Sequence, residues 1–431
     1  MKIWLICQFF GPEPGAPSAR LGGFASFWNR SDQNVTVLTS MPNHPYGKVY
    51  GEYKDKGFFH EENIDGVSVK RHSYYMTANE GIVLKALSQL MFAFVVLFKN
   101  LFAAQQERPD VIVVSSPSFF VAITAWLLSK RYKVPFVFEV RDLWPGIFLE
   151  LGVLKRGFLY NLLEKIELFL YRRAAAIVTV TRGFGQDMIN RGIDGSKIFI
   201  ITNGVSEHDI ARASDPELDN KVAKLKTDLQ INPLSKVILY IGNHGVSQAL
   251  GQVVDAARIL MARTDFVFVF VGEGGDKDRL KRIATGMPNI QFYPSQPKDK
   301  VWEFYHLAYA CLVPLKDIKG FDTFIPSKMF EVMASGTPVL GCVRGEAAQI
   351  MEDSGAAVVL PPEEPEKLAQ AIMNLVDDAS YAERLSAAGP EFVKKKYSHA
   401  LLAGQYLNIL QQVTGQKEAP KEETVKEQNV G

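Results

Sequence analysis

Residues 321–338 read Phe-Asp-Thr-Phe-Ile-Pro-Ser-Lys-Met-Phe-Glu-Val-Met-Ala-Ser-Gly-Thr-Pro. Pro326 ends a turn, and the pattern behind it predicts a short helix that starts near Ser327. Lys328 and Glu331 stand three apart, so they share one helical face. A lone cation near a helix start makes an anion site, because free backbone N–H groups and the helix dipole add to it. A carboxylate one turn further on can accept two hydrogen bonds from a sugar diol. Diphosphate and ribose together describe a nucleotide. Gly336-Thr337-Pro338 then turns the chain into an apolar strand, 339–342.

Working outward, short β-rich runs alternate with longer helical runs. Strands are expected at 3–9, 35–39, 111–115, 136–140, 177–181 and 199–202, with helices at 19–28, 83–104, 121–132, 159–172 and 184–191. A second series follows Asn203-Gly204-Val205. Its strands are expected at 237–241, 266–271, 290–293, 310–314, 339–342 and 357–360, with helices at 250–262, 276–285, 298–307, 347–353 and 366–377. Strands that are apolar throughout belong to parallel sheets covered on both faces. The polar stretch 206–233 suits a domain junction, and the tail 415–431 has almost no large apolar residue and is expected to stay unfolded. The expected fold class is α/β, with two Rossmann-like domains facing across a cleft. Ligands of such sheets bind at the carboxyl ends of the strands.

At 431 residues the chain exceeds one typical core, which agrees with two domains. Its net charge of +1 gives no reason to invoke nucleic acid. Cys7, Cys311 and Cys342 lie singly in apolar runs and read as buried thiols of a reducing compartment. The first residues form a strand without a cleavage site, and the longest apolar run, 86–98, falls short of the ~20 residues that span a bilayer. A cytoplasmic location follows, at the inner face of the plasma membrane if the Phe-rich run 83–104 with Lys85 and Lys99 meets lipid. Its bland reading is a core helix.

Several loops at strand ends carry chemistry. Gly242-Asn243-His244-Gly245 and Gly272-Glu273-Gly274-Gly275 each follow an apolar strand, where glycine lets backbone amides approach a diphosphate. Both also read as plain turns. Asp276 falls at a helix N-cap, which explains it better than a metal-binding Asp-x-Asp, and no other cluster has ligand spacing. Charges at the end of strand 136–140, Glu139, Arg141 and Asp142, are costly unless paired or functional. Either Arg141 pairs with Asp142 or Glu139, or Asp142 or Glu139 meets an acceptor hydroxyl. His44 lies in another strand-end loop, and Arg20 follows the Pro/Gly-rich loop 10–19. Arg20 either meets a phosphate or pairs with a surface carboxylate.

The 321–338 stretch resembles the donor signature of family-4 retaining glycosyltransferases, enzymes of the GT-B fold. In that family a pair of Glu residues eight apart brackets the segment. Here Glu331 has Thr323 eight residues upstream, beside Asp322. The string Ile325-Pro-Ser327-Lys328-x-Phe-Glu331, like Arg141-Asp-x-Trp-Pro145, is similar to N-acetyl-L-fucosamine transferases of surface-polysaccharide assembly. The resemblance implies ribose and phosphate roles for Glu331 and Lys328, and a donor site also drawn from Gly242, Asn243, His244, Gly272, Gly274, Asp322, Thr323, Ile325, Ser327 and Glu346. Glu346 faces the donor or caps its own helix. Many relatives clamp the phosphates with an Arg and a Lys where this chain has Asn243 and Gln248. The acceptor side would hold Gly15, Arg20, His44 and Arg141, with Lys328, Asp142 and Glu139 as catalytic groups. The implied partners are a nucleotide-sugar donor, UDP-linked, and a lipid-diphosphate-linked saccharide acceptor. No cofactor and no metal are expected, and helix 399–414 would return to the first domain, 1–204, leaving 205–398 for the donor. Two alternatives are a nucleotide-sugar 2-epimerase of the same fold and a non-catalytic scaffold subunit.

Overall fold

The structure, a computed structural model, describes residues 1–44, 47–76, 82–116, 119–146, 149, 155–213 and 215–416. The tail expected to be unfolded lies, from residue 417 on, outside the described residues. So do Pro45 and Tyr46 of the loop around His44.

Contacts divide the chain into two units. The first is Met1–Thr179, Met188–Ile201 and the residues from Ala403 on; the second is Val180–Asp187 and Thr202–Leu402. The division differs from the expected break at 204, since Val180–Asp187 groups with the later half.

The first unit is built on eight strands. They are β1 (Lys2–Ile6), β2 (Asn34–Ser40), β3 (Phe59–Ile64), β4 (Val67–His72), β5 (Val111–Ser115), β6 (Phe136–Val140), β7 (Ala176–Thr179) and β8 (Ile198–Ile200). Their order is β3-β4-β2-β1-β5-β6-β7-β8, parallel except for the β3–β4 pair. All of β5 and β6 is buried, as uninterrupted apolar strands require. The order turns back between β1 and β5, so their carboxyl ends open a crevice in this unit. The last helix contributes its end here. Trp28 Nε1 donates to Ala403 O at 2.9 Å, and the Tyr406 ring meets Trp28 edge-on at 5.3 Å.

The β3–β4 hairpin was not anticipated, although its signal is present. Asp65 and Gly66 both take positive φ (51° and 86°), the two-residue turn that Asp-Gly favours. The strands read as polar because β3 lies at the sheet edge, where alternate residues meet water.

The second unit carries β9 (Lys236–Ile241), β10 (Phe266–Val271), β11 (Ile290–Tyr293), β12 (Ala308–Pro314), β13 (Val339–Cys342) and β14 (Ala357–Leu360). Their order is β11-β10-β9-β12-β13-β14, all parallel. Successive side chains of β9 go to opposite faces. Val237, Leu239 and Ile241 pack under helices Lys298–Leu307 and Lys328–Ala334, while Ile238 and Tyr240 pack under Gly251–Ile259 and Pro365–Asp377. The stretch 206–233 holds two helices, Glu207–Arg212 and Leu218–Asp228, rather than a bare junction. Helix Ala379–Tyr397 was also unforeseen, as Pro390 stands inside it.

Candidate active site

The order of the second sheet turns back between β9 and β12, and the loops there converge. Lys328 reaches the end of β9. Its Nζ donates to Ile241 O at 3.2 Å and lies 4.0 Å above the Tyr240 ring. It forms no ion pair with a carboxylate among the described residues, so its charge is available. Gly242 permits this approach: at φ 143°, a Cβ there would stand 2.9 Å from Lys328 Nζ. Gly272, at φ 141°, faces it so closely that a Cβ would lie 1.9 Å from Gly242 O.

The two glycine loops are stitched together by their backbones. His244 N–H donates to Glu273 O (2.8 Å) and Asp276 N–H to His244 O (2.9 Å). Lys277, which the sequence reading passed over, fastens the second loop, donating to Gly272 O (2.7 Å), Glu273 Oε1 (2.8 Å) and Tyr293 O (3.1 Å). Gly274 packs on the first loop, where a Cβ would lie 2.4 Å from His244 O. The Gln248 side chain ties its own loop, accepting from Gly245 N–H at 3.1 Å. Asn243 O accepts from Tyr240 Oη at 2.7 Å.

Glu331 lies on the helix with Lys328. Tyr305 Oη donates to its Oε2 at 3.1 Å, while Oε1 meets no protein donor among the described residues. Burial pushes its carboxyl above the usual range, opposed by Lys298 and the Tyr305 hydrogen bond. Lys298 is itself held by Asp209 at 3.0 Å.

Other expected donor residues differ in what they do. The helix begins at Lys328; Ser327 occupies the cap position without a side-chain hydrogen bond. Ile325 is a core residue, so only its backbone is free to meet a ligand. His244 is fully buried among Tyr240, Phe270 and Phe292, and burial lowers its pKa to about 4. Asp276 stands at the cap position but spends its carboxylate on Arg279 (2.6 and 2.7 Å), since a bidentate charged pair outcompetes a cap bond. Glu346 does not cap its own helix. Its carboxylate takes the N–H groups of Arg182 (2.8 Å) and Gly183 (2.5 Å), capping helix Arg182–Asn190 instead. Thr323 packs there too, since a Cβ on Gly183 would meet its side chain at 2.2 Å. The Asp322 carboxylate, one residue before it, is half-buried in the turn Lys319–Thr323. Among the described residues no group of three or more His, Cys, Asp or Glu is placed to hold a metal ion.

In the first unit, the carboxylate beside Arg20 is a buried one rather than a surface one. Arg20 is itself buried, with Nη2 donating to Ile201 O (2.8 Å) and Nε 3.5 Å from the equally buried Glu139. Glu139 also accepts from Ser115 Oγ at 2.9 Å. Arg141 forms an ion pair with neither Glu139 nor Asp142; its N–H donates to Ser116 Oγ at 2.8 Å, and its Nε and Nη1 are buried without an acceptor among the described residues. Burial raises the Asp142 carboxyl above its ordinary range, with Arg141 and Lys85 opposing. Gly15 takes φ 118° and leads into helix Ala16–Arg30. His44 is half-buried against Phe9 at 5.1 Å, and burial and Lys85 lower its pKa. Glu13, missed in the sequence, organises this end. It accepts from the N–H groups of Phe10 (3.1 Å), Asn43 (2.8 Å) and His44 (2.9 Å), joining the loops after β1 and β2. A lone carboxylate between Pro12 and Pro14 was the available signal.

A family model described as "Glycosyl transferase 4-like domain" matches residues 15–204, and one described as "Glycosyl transferases group 1" matches residues 235–378. With two parallel-sheet α/β units, these matches define a glycosyltransferase of the GT-B fold. Within that class the chain belongs to the family-4 glycosyltransferases. A relative from Escherichia coli (strain K12), the "Putative colanic acid biosynthesis glycosyl transferase WcaI", is 27% identical over 86% of this chain and 91% of its own length. Among solved structures, sucrose-phosphate synthase from Thermosynechococcus elongatus aligns with a TM-score of 0.71 at 15% identity, over 96% of this chain and 100% of that one. Anabaena HepE, solved in complex with UDP and glucose, aligns with a TM-score of 0.69 at 15% identity over the same shares.

Gly242→Ala is expected to destabilise the protein by about 1–3 kcal/mol, through the positive φ and the contact with Lys328. Gly275→Ala, with open space around the new methyl, should be near neutral. Denaturant unfolding of the two variants checks this, and equal midpoints would contradict the argument.

Proposed function

We propose that the enzyme moves a sugar, with retention at the anomeric carbon, from a UDP-linked N-acetyl-aminosugar to a lipid-diphosphate-linked saccharide in surface-polysaccharide synthesis. The observation that carries this reading is the Lys328 ammonium, without a carboxylate partner among the described residues, at the end of β9 and one helical turn from Glu331. Support for the donor comes from the same fold binding UDP in HepE, and for the pathway from the name of the Escherichia coli relative.

Each group then has a task. Glu331, its Oε2 held by Tyr305, offers Oε1 to the ribose hydroxyls. Lys328 and the backbone amides of the glycine loops meet the diphosphate. The bond from the anomeric carbon to the phosphate oxygen breaks, and its electron pair stays on UDP. The acceptor oxygen bonds to the same face of that carbon through an oxocarbenium-like state. The acceptor proton passes to the departing phosphate oxygen, so no separate nucleophile is used. Lys328 stabilises the charge that develops on the phosphate, which makes a metal unnecessary. Asp142 orients the acceptor hydroxyl. Glu139, sealed from solvent, supports Arg20 instead.

Incubation of a UDP-linked N-acetyl-aminosugar with a prenyl-diphosphate-linked saccharide in excess EDTA should release UDP and lengthen the saccharide at the metal-replete rate. Turnover that vanishes with EDTA and returns with Mg²⁺ contradicts the metal-free mechanism. An epimerised donor formed without acceptor contradicts the transfer.

The acceptor class suggests a lipid surface. No helix among the described residues is long and apolar enough to cross a membrane. Helix Ile82–Asn100, however, turns Leu84, Leu87, Met91, Phe94 and Phe98 outward, at alternating spacings of three and four residues. Phe94 is 60% exposed and Phe102, just beyond, 78%. The same helix packs Phe92, Ala93 and Val96 into the core, so it is apolar on both its buried and its exposed side. Lys99 lies 4.2 Å over Phe59, and Arg131 5.9 Å from Phe102, placing cations among the exposed rings. The occupant we propose is a bilayer rich in anionic lipid. In flotation assays the protein should rise with phosphatidylglycerol vesicles and be released by salt; equal recovery with neutral vesicles contradicts it.

A further inference from the structure

Arg141 follows β6 at the carboxyl edge of the first sheet, the edge where ligands of open α/β sheets bind. The charges around it do not close. Glu139, a buried carboxylate two residues away, turns Oε1 to Ser115 Oγ and Arg20, while its Oε2 is buried without a hydrogen-bond partner among the described residues and makes no ion pair with Arg141 there. Arg20 also has a backbone acceptor in Ile201 O. Asp142 makes no ion pair with Arg141, and burial favours its neutral form. Arg141 Nε and Nη1 are therefore sealed from solvent with no acceptor among the described residues, which leaves the Nη2 edge of the guanidinium for a ligand. Glu139 attracts the guanidinium across space, and a second guanidinium, Arg20, partly cancels that attraction. The phenol of Tyr406 is buried without a hydrogen-bond partner among the described residues.

A buried cation without a counter-charge is unfavourable, and deleting such a charge often stabilises a fold. An ion pair built for stability would have been completed; this one has a missing half. We infer that Arg141 is a specificity-determining residue that receives an oxyanion carried by the acceptor, docking on the open Nη2 edge of the guanidinium. The inference rests on the glycosyltransferase reading and deepens it by naming the acceptor's recognised chemistry. A phosphate of a lipid diphosphate and the carboxylate of a sugar acid both supply such an oxyanion.

The test separates these sources. Wild type, Arg141→Gln and Arg141→Lys are first saturated with UDP, which fills the donor phosphate site at Lys328. Geranyl diphosphate and glucuronate are then titrated separately by calorimetry. At least one of the two should bind wild type, and bind Arg141→Gln at least about tenfold more weakly, as the loss of a charge-assisted bond implies. Arg141→Lys should recover part of the affinity. UDP affinity should be equal in all three proteins. The melting temperature of Arg141→Gln should equal or exceed that of wild type, because an uncompensated charge has been removed.

Three results overturn the proposal: neither anion binding wild type, equal affinity in Arg141→Gln, or a melting temperature several degrees below wild type in both variants. The last would mark Arg141 as a structural cation. Failure of wild type to bind UDP strikes the donor reading instead. The anion comparison is then made without UDP, and its outcomes keep the same meaning.

Discussion

The donor end of the molecule depends on one close approach, that of the Lys328 ammonium to the last residues of β9. It requires an absent side chain. Gly242 leaves the space, and its positive φ turns the backbone so that Ile241 O accepts from Lys328. Gly272 brings the neighbouring loop against Gly242, and Lys277 holds that loop by three hydrogen bonds. The ammonium rests over Tyr240, whose ring belongs to the core behind the sheet. A cation placed this way is rigid before any ligand arrives, and that is the condition for electrostatic catalysis without reorganisation.

The frame was largely legible because the central strands are apolar without interruption; β10, Phe-Val-Phe-Val-Phe-Val, could be nothing but a covered strand. The Lys328–Glu331 spacing was also legible, since helical geometry decides it. What escaped were features set by partners distant in sequence. Glu346 looked like a donor ligand or a cap for its own helix, yet it reaches Arg182 and Gly183, 164 and 163 residues away. Arg20 and Glu139 are 119 positions apart and meet only because their elements share one sheet edge. The β3–β4 hairpin escaped for another reason. Its Asp-Gly turn was readable, but an edge strand of Glu and Asn lacks the apolar run by which the other strands were recognised.

The two units treat charge differently. In the second, buried ionic groups are mostly matched: Lys277 by Glu273 and two carbonyls, Asp276 by Arg279, Asp209 by Lys298. At the edge of the first, Arg20 and Glu139 lie 3.5 Å apart, yet Glu139 Oε2 and Arg141 Nε and Nη1 are buried without a hydrogen-bond partner among the described residues. Folding alone does not reward an unmatched guanidinium, and such groups cluster where a ligand completes them.

The central claim is that Lys328, not a metal, carries the charge of the departing diphosphate. Single-turnover kinetics of Lys328→Ala with saturating donor in EDTA test it most directly. The account predicts a transfer rate lower by ~10²–10³ with an unfolding midpoint close to wild type, because the lysine contributes charge rather than core packing. Near-normal transfer in that variant, at unchanged stability, would contradict it.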